Sequence, residues 1–167
     1  TARRTPHARD PRGVSVYLIR HAKAGSRSSW DGDDRLRPLS KSGRRQAEAI
    51  ADRLGARTVP ALHSSPYIRC RQTLEPLAAR LGLEIADEPR LAEASRFEEV
   101  LDLLASVADE TALCSHGDVI PETIAALERR GCHITGDPDW RKGTVWTLER
   151  SGDGWFERAS VWLPSSD

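Results

Sequence analysis

The chain has 167 residues, with 25 Lys+Arg against 25 Asp+Glu and a formal net charge of zero. That length fits one domain with a substantial core, and the neutral balance argues against a nucleic-acid polymer or an anionic membrane as partner. No apolar stretch is long enough for a transmembrane helix and no segment has a signal-peptide layout, while three cysteines without C-x-x-C spacing (Cys70, Cys114, Cys132) fit free thiols in a reducing, cytoplasmic setting.

Residues 1–13 hold four Arg, two Pro and almost nothing apolar, so they read as a linker or tail with no stable fold. The sequence contains no Met, not even at position 1, and is therefore expected to be a piece of a longer protein. Residues 14–167 are expected to form a single domain.

Strand and helix patterns alternate from Val14. A short β-branched run over 14–19 predicts a buried strand. A polar loop with Gly25, Gly32 and three Asp leads to Pro38. A helix follows over about 41–54, with Ser40 as its cap and Ala47, Ile50, Ala51 and Leu54 on one face. Val59–His63 is a second strand. Pro66 suits the first turn of a helix reaching Leu81, which Pro76 should kink or weaken. Leu83–Ala86, Phe97–Val107, Thr111–Ser115 and Asp118–Arg130 read as strand, helix, strand and helix. The pattern then changes to a hairpin, Gly143–Glu149 and Trp155–Leu163 around Ser151-Gly152-Asp153-Gly154. The fold class is α/β: a mostly parallel central sheet with helices on both faces and antiparallel strands near one edge.

Arg20-His21 stands directly behind the first strand, and two basic groups where a strand leaves the core are costly unless an anion sits against them. Polar groups follow other strand ends too: Ser64 to Arg69 after the second, Glu93 in the loop after the third, Ser115-His116-Gly117-Asp118 after the fourth. In an open α/β sheet these face one crevice, and two Arg, two His and a carboxylic acid there make a phosphoryl-transfer site. Arg20 and Arg69 can grip phosphate oxygens bidentately. A neutral imidazole can attack phosphorus, and a second, if protonated, can stabilise the transition state. The acid would protonate the leaving oxygen, and burial would help keep it protonated. Glu93 is the candidate, with Glu98 or Asp118 as substitutes. Helix starts after the second and fourth strands add N–H donors. No metal or other cofactor is expected, because the cations are side chains and no metal-ligand spacing is present. Lys23, Ser26, Arg27 and Lys142 are candidates to bind a second phosphate, against the alternative of solvated loops. Trp30 and Trp140 are loop residues that could anchor packing or stack on a base.

Four blocks carry a family resemblance: Leu18-Ile19-Arg20-His21-Ala22; Leu39-Ser40-x-x-Gly43-x-x-Gln46-Ala47; Ser65-Pro66-x-x-Arg69-x-x-Gln72-Thr73; and Ser115-His116-Gly117. In this order they resemble the histidine phosphatase superfamily, the phosphoglycerate mutase-like fold, over about residues 14–163. The resemblance implies His21 as nucleophile, Arg20, Arg69 and His116 as phosphate pocket, and Glu93 as proton donor. Ala22, in place of Gly, is similar to the SixA phosphohistidine phosphatases. Arg20 to Arg27, Arg69 to Ala79 and Arg141-Lys142-Gly143-Thr144-x-Trp146 resemble more specifically the phosphatase half of actinobacterial two-domain Nudix (MutT-like) hydrolases. That likeness implies a nucleoside di- or polyphosphate substrate and a Nudix domain in the same full-length chain. The SixA likeness implies a phosphohistidine protein instead. A mutase and a non-catalytic phosphate-binding module are the remaining readings.

Overall fold

The computed structural model describes residues 14–164; the basic segment 1–13 lies outside the described residues. One seven-stranded sheet runs through them in the order β3-β2-β4-β1-β6-β7-β5. Its strands are β1 (Ser15–Arg20), β2 (Leu62–Ser64), β3 (Ile85–Asp87), β4 (Ala112–Ser115), β5 (His133–Ile134), β6 (Val145–Arg150) and β7 (Phe156–Trp162). β3, β2, β4 and β1 are parallel. β6 runs against both neighbours, β1 and β7, and β5 pairs parallel to β7. The reversed strand is thus the single β6, set inside the sheet.

Helices α1 (Lys41–Leu54) and α2 (Ile68–Leu81) cover one face, and α3 (Phe97–Ser106) and α4 (Ile120–Arg129) the other. The alternation of β1 builds both cores. Val16 and Leu18 pack with the α3 and α4 side, Tyr17 and Ile19 with the α1 and α2 side, as a period of two requires. α1 starts where the Ser40 hydroxyl accepts from the Gly43 N–H at 3.1 Å. Its buried stripe, Gly43, Gln46, Ala47, Ile50, Ala51 and Leu54, follows helical spacing. α2 runs unbroken through Pro76, with Leu74, Leu77 and Ala78 buried.

The boundaries differ from expectation for physical reasons. β2 begins at Leu62 rather than Val59, because Pro60 has no N–H for a ladder. Pro66 precedes α2, whose N-cap is Tyr67. α4 begins at Ile120, two residues beyond Asp118. The two-residue strand β5 and the 3-10 turns Asp34–Leu36 and Pro89–Leu91 were too short to show a period. No helix among the described residues is long and apolar enough to cross a membrane. Cys70, Cys114 and Cys132 are free and buried.

Candidate active site

The carboxyl ends of β1, β2 and β4 are neighbours in the sheet, and their exits meet in one place. The Arg20 N–H donates to Thr144 C=O and the His21 N–H to Ser115 C=O, each at 3.0 Å, so the chain leaves β1 still held on both sides. Beside it is a cavity of about 440 Å³ lined by Arg20, His21, Ala24, Gly25, Ser26, Arg27, Arg37, Glu93, Gly117, Asp118 and Lys142.

His21 is 5% exposed. Its Nδ1 lies 2.8 Å from the Ala22 carbonyl. A carbonyl only accepts, so Nδ1 carries the hydrogen and Nε2 keeps its lone pair. Burial lowers the pKa of His21 to about 3, helped by the charges of Arg69, Arg20 and Lys142, against the Ala22 hydrogen bond. The ring is therefore neutral at pH 7. His116 is buried with its ring centroid 5.4 Å from that of His21. Its Nε2 lies 2.8 Å from the Ser65 hydroxyl, its Nδ1 3.7 Å from a Glu93 carboxylate oxygen. Burial, then His21 and Arg69, bring its pKa down to about 2. Both rings are neutral in the unliganded protein, so the protonated second imidazole considered above is absent from this state.

Arg69 is fully buried. Its Nη2 donates to Glu93 Oε1 at 2.7 Å and to Asp34 Oδ2 at 3.1 Å, and its Nη1 donates to the Asp34 carbonyl at 2.9 Å. Arg20 is half-buried; Nη1 donates to the Trp140 carbonyl. Burial lowers its pKa, and the charge of Asp118 opposes this. Glu93 accepts from Arg69 and, at 3.1 Å, from Arg27. Its side chain is 28% exposed and ion-paired with both arginines. Its loop is pinned twice: Ser115 Oγ donates to Leu91 C=O at 2.7 Å, and Ala94 N–H to Asp118 Oδ2 at 2.8 Å. Ala94 has φ 62°, local strain of the kind that collects near functional groups.

Polar residues inside apolar stripes explain how the loops are placed. A Cβ on Gly43 would stand 1.8 Å from the Lys23 carbonyl, so only glycine admits that approach. Gln46 Oε1 accepts from Lys23 N–H at 2.9 Å, and its Nε2 donates to Lys142 C=O at 3.3 Å. The Gly143 N–H donates to the Arg20 and His21 carbonyls. Gln72 Oε1 accepts from Leu39 N–H, and Thr73 Oγ1 from Ala22 N–H at 3.0 Å while donating to Arg69 C=O. α1 and α2 thus clamp the segments that carry His21 and Lys142.

Of the second-phosphate candidates, Ser26, Arg27 and Lys142 line the cavity. Lys23 is exposed outside its lining and contributes its backbone. Trp140 stacks on the buried Trp146 at 5.1 Å, an anchor for the loop whose carbonyl meets Arg20. Sequence reasoning missed Asp34 and Arg37. Arg37, 5% exposed, lines the cavity and donates to Asp34 Oδ1 and Gly25 C=O. A polar loop has no period to flag such residues, whereas Gln46 was visible as a polar residue inside an apolar stripe. No group of three or more His, Cys, Asp or Glu among the described residues could hold a metal ion.

Known proteins resemble this chain in sequence and in fold. Residues 16–98 match the family model described as histidine phosphatase superfamily, branch 1. The 8-oxo-(d)GTP phosphatase of Mycolicibacterium smegmatis is 38% identical over 159 residues, covering 92% of this chain and 49% of that protein, so the chain spans about half the relative's length. Among solved structures, the protein histidine phosphatase SixA complexed with tungstate superposes with a TM-score of 0.71 at 21% identity, covering 91% of this chain and 97% of SixA. A mycobacterial glucosyl-3-phosphoglycerate phosphatase complexed with VO3 gives 0.65 at 20% identity, covering 90% and 99%. At these identities the two structures share the fold.

Proposed function

Since the chain belongs to the histidine phosphatase superfamily, and is a phosphatase-type hydrolase by that membership, we propose that it works without a metal, through phosphorylated His21, on a small phosphorylated substrate. One observation carries this reading. Six buried side-chain polar atoms among the described residues lack a hydrogen-bond partner, and three of them belong to this site: Arg20 Nε, Arg69 Nε and His116 Nδ1. An unsatisfied buried donor is costly, and three around one neutral imidazole match the oxygens of a phosphoryl group.

The steps follow from the groups. The Nε2 lone pair of His21 attacks phosphorus while the bond to the leaving oxygen breaks, and Arg20, Arg69 and His116 donate to the phosphoryl oxygens. Glu93, entering this step as the carboxylic acid, protonates the leaving oxygen. Water attacks phosphorus as the phosphorus–nitrogen bond breaks, Glu93 takes its proton, and phosphate leaves with His21 restored. The cations this chemistry needs are Arg20 and Arg69.

A nucleoside di- or polyphosphate is the proposed substrate class. The similarity to the 8-oxo-(d)GTP phosphatase over most of this chain supports it, as does Lys142, a cavity cation with no carboxylate in ion-pair distance among the described residues. A Nudix domain in the full-length protein belongs to the same proposal. The test is a brief exposure to labelled substrate followed by an alkaline quench. An alkali-stable, acid-labile phosphoenzyme is expected, absent in His21→Ala. Undiminished turnover in that variant overturns the reading.

A further inference from the structure

The cationic wall of the cavity is organised around one carboxylate. Asp34 opens the 3-10 turn Asp34–Leu36. Its Oδ1 accepts from Arg37 Nε at 2.9 Å and lies 3.7 Å from Arg27 Nε. Its Oδ2 accepts from Arg69 Nη2, and its own carbonyl accepts from Arg69 Nη1. One residue therefore touches three guanidinium groups, Arg27, Arg37 and Arg69.

The contact with Arg69 differs from the other two. Arg37 and Arg27 each meet only the carboxylate, whereas Arg69 is held at two adjacent nitrogens by two different oxygens of the same residue. A guanidinium is planar, so two such contacts fix its rotation. Arg69 is also fully buried and has no water to replace a lost acceptor. With Asp34 in place, Nε–H stays without a partner and Nη2 shares its second hydrogen with Glu93. Asp34 is ionised: burial opposes this, but the Arg37 hydrogen bond and the charges of Arg69, Arg37 and Arg27 hold its pKa below the ordinary value.

We propose that Asp34 is a positioning residue for phosphoryl transfer: its carbonyl and carboxylate grip Arg69 so that its unpartnered Nε–H is what the transferred group meets. The inference rests on the phosphatase reading above. It has an unusual signature, because Asp34 is an anion beside an anion site. Its charge repels bound substrate, while its grip aligns Arg69 for the transition state. Removing it should therefore lower kcat without weakening oxyanion binding. A residue that merely holds the pocket together would lower both.

The experiment compares Asp34→Ala and Asp34→Asn with the unsubstituted protein, measuring kcat and KM on p-nitrophenyl phosphate and the dissociation constant of tungstate. For Asp34→Ala, kcat should fall about 10- to 100-fold, the worth of lost charge-assisted hydrogen bonds, with tungstate bound as tightly as before or tighter. Asp34→Asn keeps an amide oxygen for Arg69 and should fall between. Should Asp34→Ala not fold, Asp34→Asn decides alone, through the same split between kcat and tungstate. Rates equal to the unsubstituted protein, or tungstate affinity falling in step with kcat, overturn the proposal. A normal phosphoenzyme alongside either result leaves the phosphatase reading standing, whereas no phosphoenzyme in the unsubstituted protein defeats that reading first.

Discussion

The Ser65 hydroxyl lies 2.8 Å from Nε2 of His116, which leaves Nδ1 as the ring nitrogen without a hydrogen-bond partner. Ser65 Oγ already accepts from the Tyr67 N–H at 3.3 Å, so its own hydrogen is available to donate to Nε2. A neutral imidazole that accepts at Nε2 carries its hydrogen on Nδ1, the atom left unpartnered near Glu93. Ser65→Ala should therefore lower kcat about tenfold, more than it changes KM, by loosening that tautomer. Nitrogen-15 shifts of the His116 ring should move with it. An unaltered ring spectrum together with an unaltered kcat would refute the assignment.

The depressed pKa values of the two imidazoles, about 3 for His21 and about 2 for His116, make stability depend on pH in one direction. Unfolded histidines titrate near ~6.5. Below that pH the unfolded chain binds protons that the folded chain refuses, so stability present above it is lost as pH falls toward the folded values. The slope is at most about 1.4 kcal/mol per pH unit for each imidazole. Urea midpoints should drop between pH 7 and pH 5, and His21→Asn with His116→Asn should flatten that slope. The acid limb of the rate should not lie near pH 6 on account of His21. A kcat/KM limb near pH 6 that coincides with titration of the His21 ring followed by its nitrogen-15 shifts would contradict the depressed pKa.

Glu93→Gln separates the two leaving-group chemistries. A poor alkoxide leaving group needs the proton, so the single-turnover rate of phosphoenzyme formation from an alkyl phosphate should fall about 10²- to 10⁴-fold. In the same step the loss on a phosphohistidine peptide or p-nitrophenyl phosphate should be small, because those groups leave without full protonation. Equal losses in that step on every substrate would show that Glu93 acts there only through its ion pair with Arg69.

Two glycines should respond differently to a single methyl group. At Gly117 a Cβ would lie 2.5 Å from the Arg20 guanidinium carbon, the far end of a flexible side chain. Gly117→Ala should displace Arg20 and cut kcat/KM while the melting temperature barely moves. At Gly43 the obstacle is the Lys23 backbone carbonyl, which cannot swing away. Gly43→Ala should cost about 1–3 kcal/mol of stability as well as activity. Thermal melts and kinetics on the pair check this, and matched behaviour would be evidence against it.

Lys142 reports on the second phosphate. Burial and repulsion from Arg20, Arg37 and Arg69 lower its pKa, a sign of uncompensated positive charge. Lys142→Met should reduce kcat/KM for a nucleoside diphosphate at least about tenfold more than for the matching monophosphate. An equal loss on both would place Lys142 on the transferred phosphoryl group instead.

Much of the site was legible because its residues break a pattern. Arg20 and His21 end an apolar run, and Arg69 and His116 stand behind strand ends, so a parallel sheet had to bring them to one edge. α2 continues through Pro76 to Leu81, so one missing hydrogen bond does not end the helix. Lys23 looked like a ligand by charge, yet its neighbours hold its backbone and leave its ammonium in solvent.

Hydrophobic spacing by itself determined the alternation of elements and which groups stand at strand exits, because burial of apolar surface acts residue by residue along the chain. Only the tertiary structure decided their chemistry. The Ala22 carbonyl holds the hydrogen of His21 on Nδ1, the Ser65 hydroxyl lies against Nε2 of His116, and the Asp34 carboxylate accepts from Arg69. Hydrogen bonds between segments 24 to 51 residues apart carry no periodic signal, and they come into being only when the sheet edge assembles.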